Sequence, residues 1–189
     1  MGGIISAINS AAFQFAGSVS GTALTYLMQK LAESFLIVIP VIAIYLYLKK
    51  DKNAFSFVVS AAVLAVAAEI VKDIVMEPRP CTTMSFPWAN VACESGFAFP
   101  SNHATTLTGL LFFIKGYRYL KWAYLIWLAL VLFGRVYLGQ HYFTDVVAGI
   151  IFSAIMAYAL YRLRHRINAL LGRIAHMIVP QLFGAEWAK

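Results

Sequence analysis

Long apolar runs separated by short polar segments dominate the chain, and they predict membrane-spanning helices. Five runs are candidates for spans, at residues 23–48, 54–76, 101–114, 122–137 and 143–161. Crossing the hydrocarbon core takes about 20 apolar residues, so the third and fourth runs are short. The flanking segments 3–22 and 166–183 are less apolar and favour helices that lie at the membrane interface. We therefore expect an all-α integral membrane protein, a helical bundle of five transmembrane helices with an interfacial helix at each end.

Composition supports this class. Of the 189 residues, 61% are hydrophobic and 12% are charged, whereas soluble domains carry about 25% charged residues. The length suits one domain, residues 1–189. A net charge of +7 can indicate nucleic-acid binding, but here the basic residues lie in short loops beside apolar runs. We therefore expect the lipid bilayer as partner and no nucleic acid, and the oligomeric state stays open.

Three polar segments interrupt the apolar pattern with residue types that suit a phosphate group. They are Lys72 to Arg79-Pro80, Pro100-Ser101-Asn102-His103, and Arg135 to His141 and Asp145. The guanidinium groups and the ammonium of Lys72 can bind phosphate oxygens. Ser101 stands where a helix N-cap belongs, so the first backbone N–H groups of that helix, from Asn102 onward, would point at a bound anion.

The two histidines and the aspartate add the reactive groups. His103 lies in the first turn of its helix and can protonate a leaving oxygen. His141 and Asp145 are four residues apart and would share one face of a helix. The carboxylate would then fix the imidazole tautomer and leave the other nitrogen free to attack phosphorus.

Each segment alone has an ordinary interpretation as a turn, a cap or a surface pair, but their combination predicts a site. The predicted catalytic residues are His141, His103 and Asp145. The predicted phosphate-binding residues are Lys72, Arg79, Ser101, Asn102 and Arg135. Since no carboxylate cluster accompanies them, we expect neither a metal nor another cofactor. His165 and His176 lie among basic residues and are interpreted as structural.

The basic residues also predict an orientation. Three, three and four of the fifteen Lys and Arg residues lie in the segments 49–52, 115–121 and 162–173. By the positive-inside rule these segments face the cytoplasm, so the three polar motifs face the extracytoplasmic side of the plasma membrane. Cys81 and Cys93 share the loop on that oxidising side, and we predict that they form a disulfide; the alternative is that both are ordinary small apolar residues of a membrane protein.

The motifs also carry a family resemblance. Lys-x6-Arg-Pro, Pro-Ser-x-His and Arg-x5-His-x3-Asp, within residues 72–145, resemble the signature of the type 2 phosphatidic acid phosphatase superfamily. An N-terminal pattern at Ile8-Asn9, Leu27-Met28 and Leu31 to Glu33 is similar, more weakly, to bacitracin-resistance-type undecaprenyl-diphosphate phosphatases. The resemblance implies metal-independent dephosphorylation through phosphohistidine. Two positions depart from it: Asn102 stands where many members have Gly or Asp, and Gly134 where many have Ser.

The expected function is hydrolysis of a polyprenyl diphosphate to the monophosphate. Phosphatidic acid and phosphatidylglycerol phosphate are alternative substrates, and a catalytically silent membrane binding or transport protein is the alternative of another class. Aromatic residues of the 81–99 loop could either contact the lipid tail or form an interfacial belt; they are Phe86, Trp88, Phe97 and Phe99. Lys30 and Glu33 could be functional charges within the membrane or an ordinary ion pair.

Overall fold

A computed structural model describes residues 2–89 and 91–179, and this part of the chain is helical throughout, without strands. The helices are α1 (Gly2–Ser18), α2 (Thr22–Glu33), α3 (Phe35–Leu48), α4 (Asn53–Val75), α5 (Pro80–Thr83), α6 (Asn102–Ile114), α7 (Arg118–Tyr137) and α8 (Phe143–Ile178). Among the described residues, three helical segments are long and apolar enough to cross a membrane, beginning at Asn53, Arg118 and Phe143, and the bent pair α2–α3 makes a fourth if it is one span. The all-α membrane fold is confirmed, with a slightly different count of spans.

The first predicted span is broken at Ser34, where the axes of α2 and α3 differ by 43°. The Ser34 hydroxyl donates to the carbonyl of Leu31 at 2.6 Å and accepts from the indole N–H of Trp127 at 2.8 Å. These bonds hold the bend against α7. Lys30 and Glu33 form an exposed ion pair of 2.7 Å on the last turn of α2, which is the ordinary one of the two interpretations.

Helix α6 is short, as the sequence indicates. Its 13 residues span about 20 Å at 1.5 Å per residue. It lies at the centre of the bundle and packs against α4 and α8. Because α6 is central, the neighbouring helix α8 needs a small residue where the two helices touch. A Cβ on Gly149 of α8 would come within 2.9 Å of the Ala104 Cβ and of the Ser101 carbonyl oxygen.

Two boundaries predicted from the sequence are wrong. Helix α7 starts at Arg118 rather than residue 122 and has 20 residues, so it is not a short span. The predicted fifth span and C-terminal helix are one continuous helix, α8, of 36 residues. No Gly or Pro stands between residues 161 and 171 to stop the helix, so the arginines there mark where it leaves the apolar region, not where it ends. Of the predicted segment 166–183, residues 180–183 lie outside the described residues.

The basic segments lie together at one end of the bundle. Tyr117 donates its hydroxyl hydrogen to Asp51 at 2.8 Å. The cationic groups of Lys115 and Arg164 lie 4.2 and 3.8 Å from the ring centre of Tyr161. These contacts join the three basic segments, and the three polar motifs meet at the opposite end.

The motif end is closed by α1 and by the loop that follows α4. Cys81 and Cys93 form a disulfide with a Cα–Cα distance of 5.7 Å, so the predicted pairing is confirmed. Trp88 donates its indole N–H to the carbonyl of Tyr137 at 3.1 Å, which fixes the loop on α7. Helix α1 packs against α7 and α8 and is not among the helices that meet the length and hydropathy expected of a span.

Candidate active site

A cavity of about 620 Å³ opens where the three motifs meet. Its polar wall consists of Glu69, Lys72, Arg79, Glu94, Ser95, Asn102, His103, Arg135 and His141, and its apolar wall of Phe35, Ile39, Ala61, Ala65 and Leu107, with Thr106 between them. Six of the eight predicted site residues therefore line one cavity. The other two, Ser101 and Asp145, are fully buried behind it.

His141 presents a lone pair towards the cations of this cavity. Its Nε2 lies 3.4 Å from a terminal nitrogen of Arg79. Because a guanidinium can only donate hydrogen bonds, Nε2 is the acceptor and is unprotonated. The proton of the neutral ring is therefore on Nδ1, which lies 3.6 Å from Asp145 Oδ2. This is the tautomer that nucleophilic attack through Nε2 requires.

The placement of this pair differs from the sequence-based expectation. His141 is not on the helix with Asp145 but in the turn before it, since α8 begins at Phe143 after the N-cap Tyr142. Asp145 Oδ2 accepts the backbone N–H of Tyr142 at 2.8 Å. The 3.6 Å separation from His141 is therefore an electrostatic contact, longer than a normal hydrogen bond.

Burial and neighbouring cations keep His141 neutral. Its side chain is 1% exposed, and loss of hydration disfavours the charged form. Burial first, and then the positive charges of Arg135, Arg79 and Lys72, lower the pKa of His141 well below its ordinary value. The imidazole consequently stays in its nucleophilic form at neutral pH.

Three buried cations surround the position in front of His141. Lys72, Arg79 and Arg135 are 5%, 3% and 2% exposed. Arg79 is held in place by the carbonyl groups of Gln140, Ser95 and Gly96, at 3.0, 3.2 and 3.3 Å. Burying three positive charges so close together is unfavourable unless anions compensate them. The arrangement therefore favours an anionic ligand.

Two carboxylates that the sequence analysis did not assign to the site now compensate these cations. Glu94 binds both terminal nitrogens of Arg135, at 2.7 and 2.5 Å, and lies 3.5 Å from Arg79. Glu69 accepts from Lys72 at 3.0 Å. Burial alone would raise the pKa of Glu94, but the hydrogen bond and charge of Arg135 and the charge of Arg79 outweigh it and lower that pKa.

The start of α6 is partly as predicted. Ser101 is the N-cap, and its hydroxyl accepts the N–H of Ala104 at 3.4 Å. That N–H was expected to face an anion, so this part of the prediction is wrong, because the cap uses it. The Ser101 N–H donates to the carbonyl of Asp145 at 3.2 Å, which joins the second motif to the third.

The side chain of Asn102 is turned towards α4. Its amide group donates to Glu69 at 2.7 Å, while its oxygen accepts from Thr106 at 2.9 Å. Because Glu69 also accepts from Lys72, Asn102 is linked to a phosphate-binding candidate through a shared carboxylate. Its side chain therefore positions Glu69 in this state of the site.

His103 is held by the bend between α2 and α3. Its Nε2 lies 3.2 Å from the carbonyl oxygen of Ala32, which can only accept, so Nε2 carries a proton. The ring also packs edge-on against Phe35, with 4.8 Å between ring centres. Nε2 is thus engaged with the backbone, so Nδ1 is the ring nitrogen left to exchange a proton with a ligand, and the ring lies beside the apolar wall of the cavity.

The aromatic residues of the loop do not line the cavity, which opposes the first of the two interpretations, contact with a lipid tail. Phe86, Trp88, Phe97 and Phe99 are not among the residues lining the cavity. Phe86 instead packs edge-on against Phe13 of α1 and against Trp88. The apolar wall of the cavity comes from α3, α4 and α6, whose apolar side chains give no sequence signal that separates them from ordinary lipid-facing positions.

The carboxylates, by contrast, had weak signals in the sequence. Glu69 stands three residues before Lys72, a spacing that pairs charges on a helix, and Glu94 follows Cys93 of the expected disulfide. Over residues 2–89 and 91–179, no group of three or more His, Cys, Asp and Glu side chains is placed to hold a metal ion.

Several known proteins share parts of this sequence. A probable sphingosine-1-phosphate phosphatase of Dictyostelium discoideum is 28% identical over 132 residues, 60% of this chain and 32% of that protein. Sphingosine-1-phosphate phosphatase 1 of Mus musculus is 29% identical over 101 residues, 49% and 23% of the two chains. Lipid A 4'-phosphatase of Bacteroides thetaiotaomicron is 35% identical over 77 residues, 39% and 34%. The chain thus spans only 23% to 34% of the length of these relatives.

A solved structure shares the fold. It is described as the crystal structure of the first transmembrane PAP2 type phosphatidylglycerolphosphate phosphatase from Bacillus subtilis. The TM-score is 0.68 at 20% sequence identity, covering 87% of this chain and 88% of the other. The family model of the PAP2 superfamily matches residues 53–169, which include all three motifs. With more than half of its length matched, the chain belongs to the PAP2 superfamily.

Proposed function

We propose that the protein is a metal-independent lipid phosphatase that works through a phosphohistidine intermediate. The observation that carries the proposal is the unprotonated Nε2 of His141, 3.4 Å from Arg79, in a cavity that two further buried cations, Lys72 and Arg135, also line. A phosphate bound by these groups places its phosphorus beside a neutral, oriented nucleophile. The site provides positioning and charge stabilisation, the main requirements of phosphoryl transfer.

The reaction proceeds in two displacements. In the first, His141 Nε2 forms a bond to phosphorus and the bond to the leaving oxygen breaks. His103 enters this step as the imidazolium, donates a proton from Nδ1 to the leaving oxygen and becomes neutral. Asp145 stabilises the positive charge that develops on the His141 ring. In the second, His103 takes a proton from water, whose oxygen attacks phosphorus, and the P–N bond breaks to release inorganic phosphate.

The apolar arm of the cavity supports a lipid substrate. Phe35 and Ile39 of α3 face Ala61 and Ala65 of α4 across it, with Leu107 of α6 beside them. These helices are apolar and their outer faces are exposed, so a tail can extend from the site into the bilayer. An amphiphile whose phosphate reaches the cations can keep its hydrocarbon in an apolar environment throughout.

Among lipid phosphates, a polyprenyl diphosphate of the undecaprenyl type is our first candidate. Its support is the N-terminal pattern, in which Asn9 has a structural role. The Asn9 side chain accepts the N–H of Thr144 at 3.2 Å and donates to its hydroxyl at 3.1 Å. These bonds fix helix α1 to the start of α8, beside the turn that carries His141.

Lipids with a phosphate monoester are the second candidate, including phosphatidic acid and phosphatidylglycerol phosphate. Their support is the set of relatives, whose names refer to sphingosine-1-phosphate, lipid A and phosphatidylglycerolphosphate. In either case we propose a single domain over residues 1–189 in the plasma membrane. The motif end faces the extracytoplasmic side, because the basic segments gather at the other end.

A phosphate-release panel tests the proposal. Purified protein is given polyprenyl diphosphate, phosphatidic acid and phosphatidylglycerol phosphate, each with EDTA. We expect release from at least one lipid in EDTA, inhibition by vanadate and an acid-labile phosphoenzyme. His141→Ala abolishes both turnover and phosphoenzyme, while His165→Ala, which changes an exposed histidine at the basic end, leaves both intact.

Three outcomes contradict the proposal. Activity that disappears in EDTA and returns with magnesium excludes the metal-independent mechanism. A fully active His141→Ala protein excludes this nucleophile. A wild-type protein that binds the lipids but releases phosphate from none of them is a catalytically silent binding protein.

A further inference from the structure

Glu94 lies beside the two arginines of the phosphate site, and the proposed mechanism gives it no role. This carboxylate binds both terminal nitrogens of Arg135 and lies 3.5 Å from Arg79. A bidentate carboxylate on an arginine has nearly the geometry of a phosphate on the same arginine. Glu94 therefore occupies the position that the substrate's phosphate oxygens must take, and the two cannot be there together.

The surroundings of Glu94 let its side chain leave while its backbone stays. The backbone N–H of Glu94 donates to Gln140 Oε1 at 3.0 Å, and Gln140 Nε2 donates to the carbonyl of Ala92 at 3.1 Å. The preceding residue, Cys93, is tied to Cys81. The carboxylate itself is 47% exposed. Rotation about its own side-chain bonds therefore moves it into water without moving the loop.

We infer that Glu94 is a built-in competitor for the phosphate site, which sets the minimum affinity that a headgroup must have to be bound. This inference rests on the proposed function of the cavity as a lipid phosphate site. Every anion must displace the same carboxylate, so Glu94 lowers the affinity for all of them by a common factor. The ratio between two ligands does not change, but the occupancy of each one does.

The consequence concerns the lipids that surround the protein. Ordinary phospholipids are phosphodiesters with a singly charged phosphate and are present in great excess, whereas a phosphate monoester carries about −1.5 to −2 at pH 7. A phosphodiester that displaces the Glu94 carboxylate carries the same charge of −1, so the exchange adds little electrostatic binding free energy. A monoester or diphosphate brings additional charge to Lys72, Arg79 and Arg135, and still binds. Glu94 thus keeps the site free of bulk lipid, and it helps to expel inorganic phosphate after turnover.

The test is a comparison of Glu94→Gln with wild type in binding soluble headgroup probes. Thermal-shift titrations with methyl phosphate, dimethyl phosphate and inorganic phosphate report binding without any need for turnover. We expect the affinity of Glu94→Gln for all three to rise by a similar factor, about 10-fold or more, the scale of one charge-assisted bidentate contact. Phosphatidylglycerol in mixed micelles should likewise inhibit the variant at lower mole fraction.

Two further variants serve as controls. Glu33→Gln removes a carboxylate from the rim of an adjoining cavity that Glu94 and Arg135 also line, and should leave affinities within about 2-fold. Glu94→Asp keeps the charge and should restore most of the competition. If Glu94→Gln binds phosphate as wild type does, or more weakly, Glu94 supports the arginines rather than competing for them, and the inference is wrong. If wild type hydrolyses no lipid, the proposed function fails, and the probe titrations still decide the role of Glu94.

Discussion

Replacing Gly149 by alanine should impair catalysis more than it impairs folding. Gly149 lies on α8 one turn after Asp145, where α8 touches the start of α6. A Cβ there would lie 2.9 Å from Ala104 Cβ, 2.9 Å from the Ser101 carbonyl oxygen and 3.2 Å from Thr105 Oγ1. Ordinary contacts of this kind are 3.4–4 Å. Because one of the atoms is backbone at the N-cap, the two helices must move apart by about 0.5–1 Å.

The expected size of the effect follows from this displacement. Overpacking of a core costs about 1–3 kcal/mol, while the gain in helix propensity from Gly to Ala offsets about 0.5–1 kcal/mol. The net loss of stability is therefore about 1 kcal/mol or slightly more. For catalysis, a shift of about 1 Å between reacting groups can cost about 100-fold. We expect kcat to fall by about 10- to 100-fold, since α8 carries Asp145 and α6 carries His103.

The assay compares kcat with the thermal midpoint in three variants. Gly116→Ala adds the same methyl group in open space and should change neither quantity. Gly109→Ala also overpacks α6, meeting Leu64, Ser153 and Ala157, but further from the motifs, so it should lower the midpoint with a smaller loss of kcat. A Gly149→Ala protein with wild-type kcat would refute the reasoning, because the contact would then not set the distance between the two catalytic elements.

Three further predictions concern the loop, the nucleophile and the tail. Cys93→Ser should lower the free energy of unfolding by about 3 kcal/mol in the chain-entropy model; an unchanged denaturation midpoint would contradict this. The acidic limb of kcat/KM, which reports the free enzyme, should show no loss of activity from protonation of His141 near pH 6.5. The lowered pKa of His141 keeps the ring neutral until the pH falls well below that value, and loss of a wild-type His141 nucleophile with a midpoint above pH 6.5 would oppose this. Ala65→Phe should fill the apolar arm and raise the KM of long-tailed lipids at least about 10-fold while sparing a soluble phosphate ester; equal effects on both would place the tail elsewhere.

The sequence was sufficient to predict how the motifs come together, for a physical reason. Lys72, His103 and Arg135 lie near the ends of apolar runs that alternate in direction, so any antiparallel bundle brings them to one end. Their residue types also restricted the chemistry, since buried cations beside a histidine have few other uses. The disulfide followed from the same alternation, because it placed both cysteines in one loop on one side.

The remaining features depend on side-chain directions that a sequence pattern does not contain. Nothing in the run around Glu94 shows that its carboxylate turns back onto Arg135. Likewise, the contact between His103 and the Ala32 carbonyl depends on a helix bend at Ser34, inside a segment that was predicted as one span. The turn that places His141 before α8 rather than on it was hidden because a four-residue spacing fits both geometries.

The tyrosines near the middle of α8 also measure how deep the active site lies in the bilayer. Tyr158 and Tyr161 contact Arg162 and Arg164, the pairing of ring and cation that side chains adopt where hydrocarbon gives way to headgroups. From Tyr161 back to Phe143 the helix rises about 27 Å, slightly less than a hydrocarbon core of about 30 Å. We therefore expect the turn with His141 to lie just beneath the opposite headgroup layer. At that depth a lipid would reach it by lateral diffusion without leaving the bilayer, and the concentration that sets its occupancy would be the mole fraction of the lipid in the membrane.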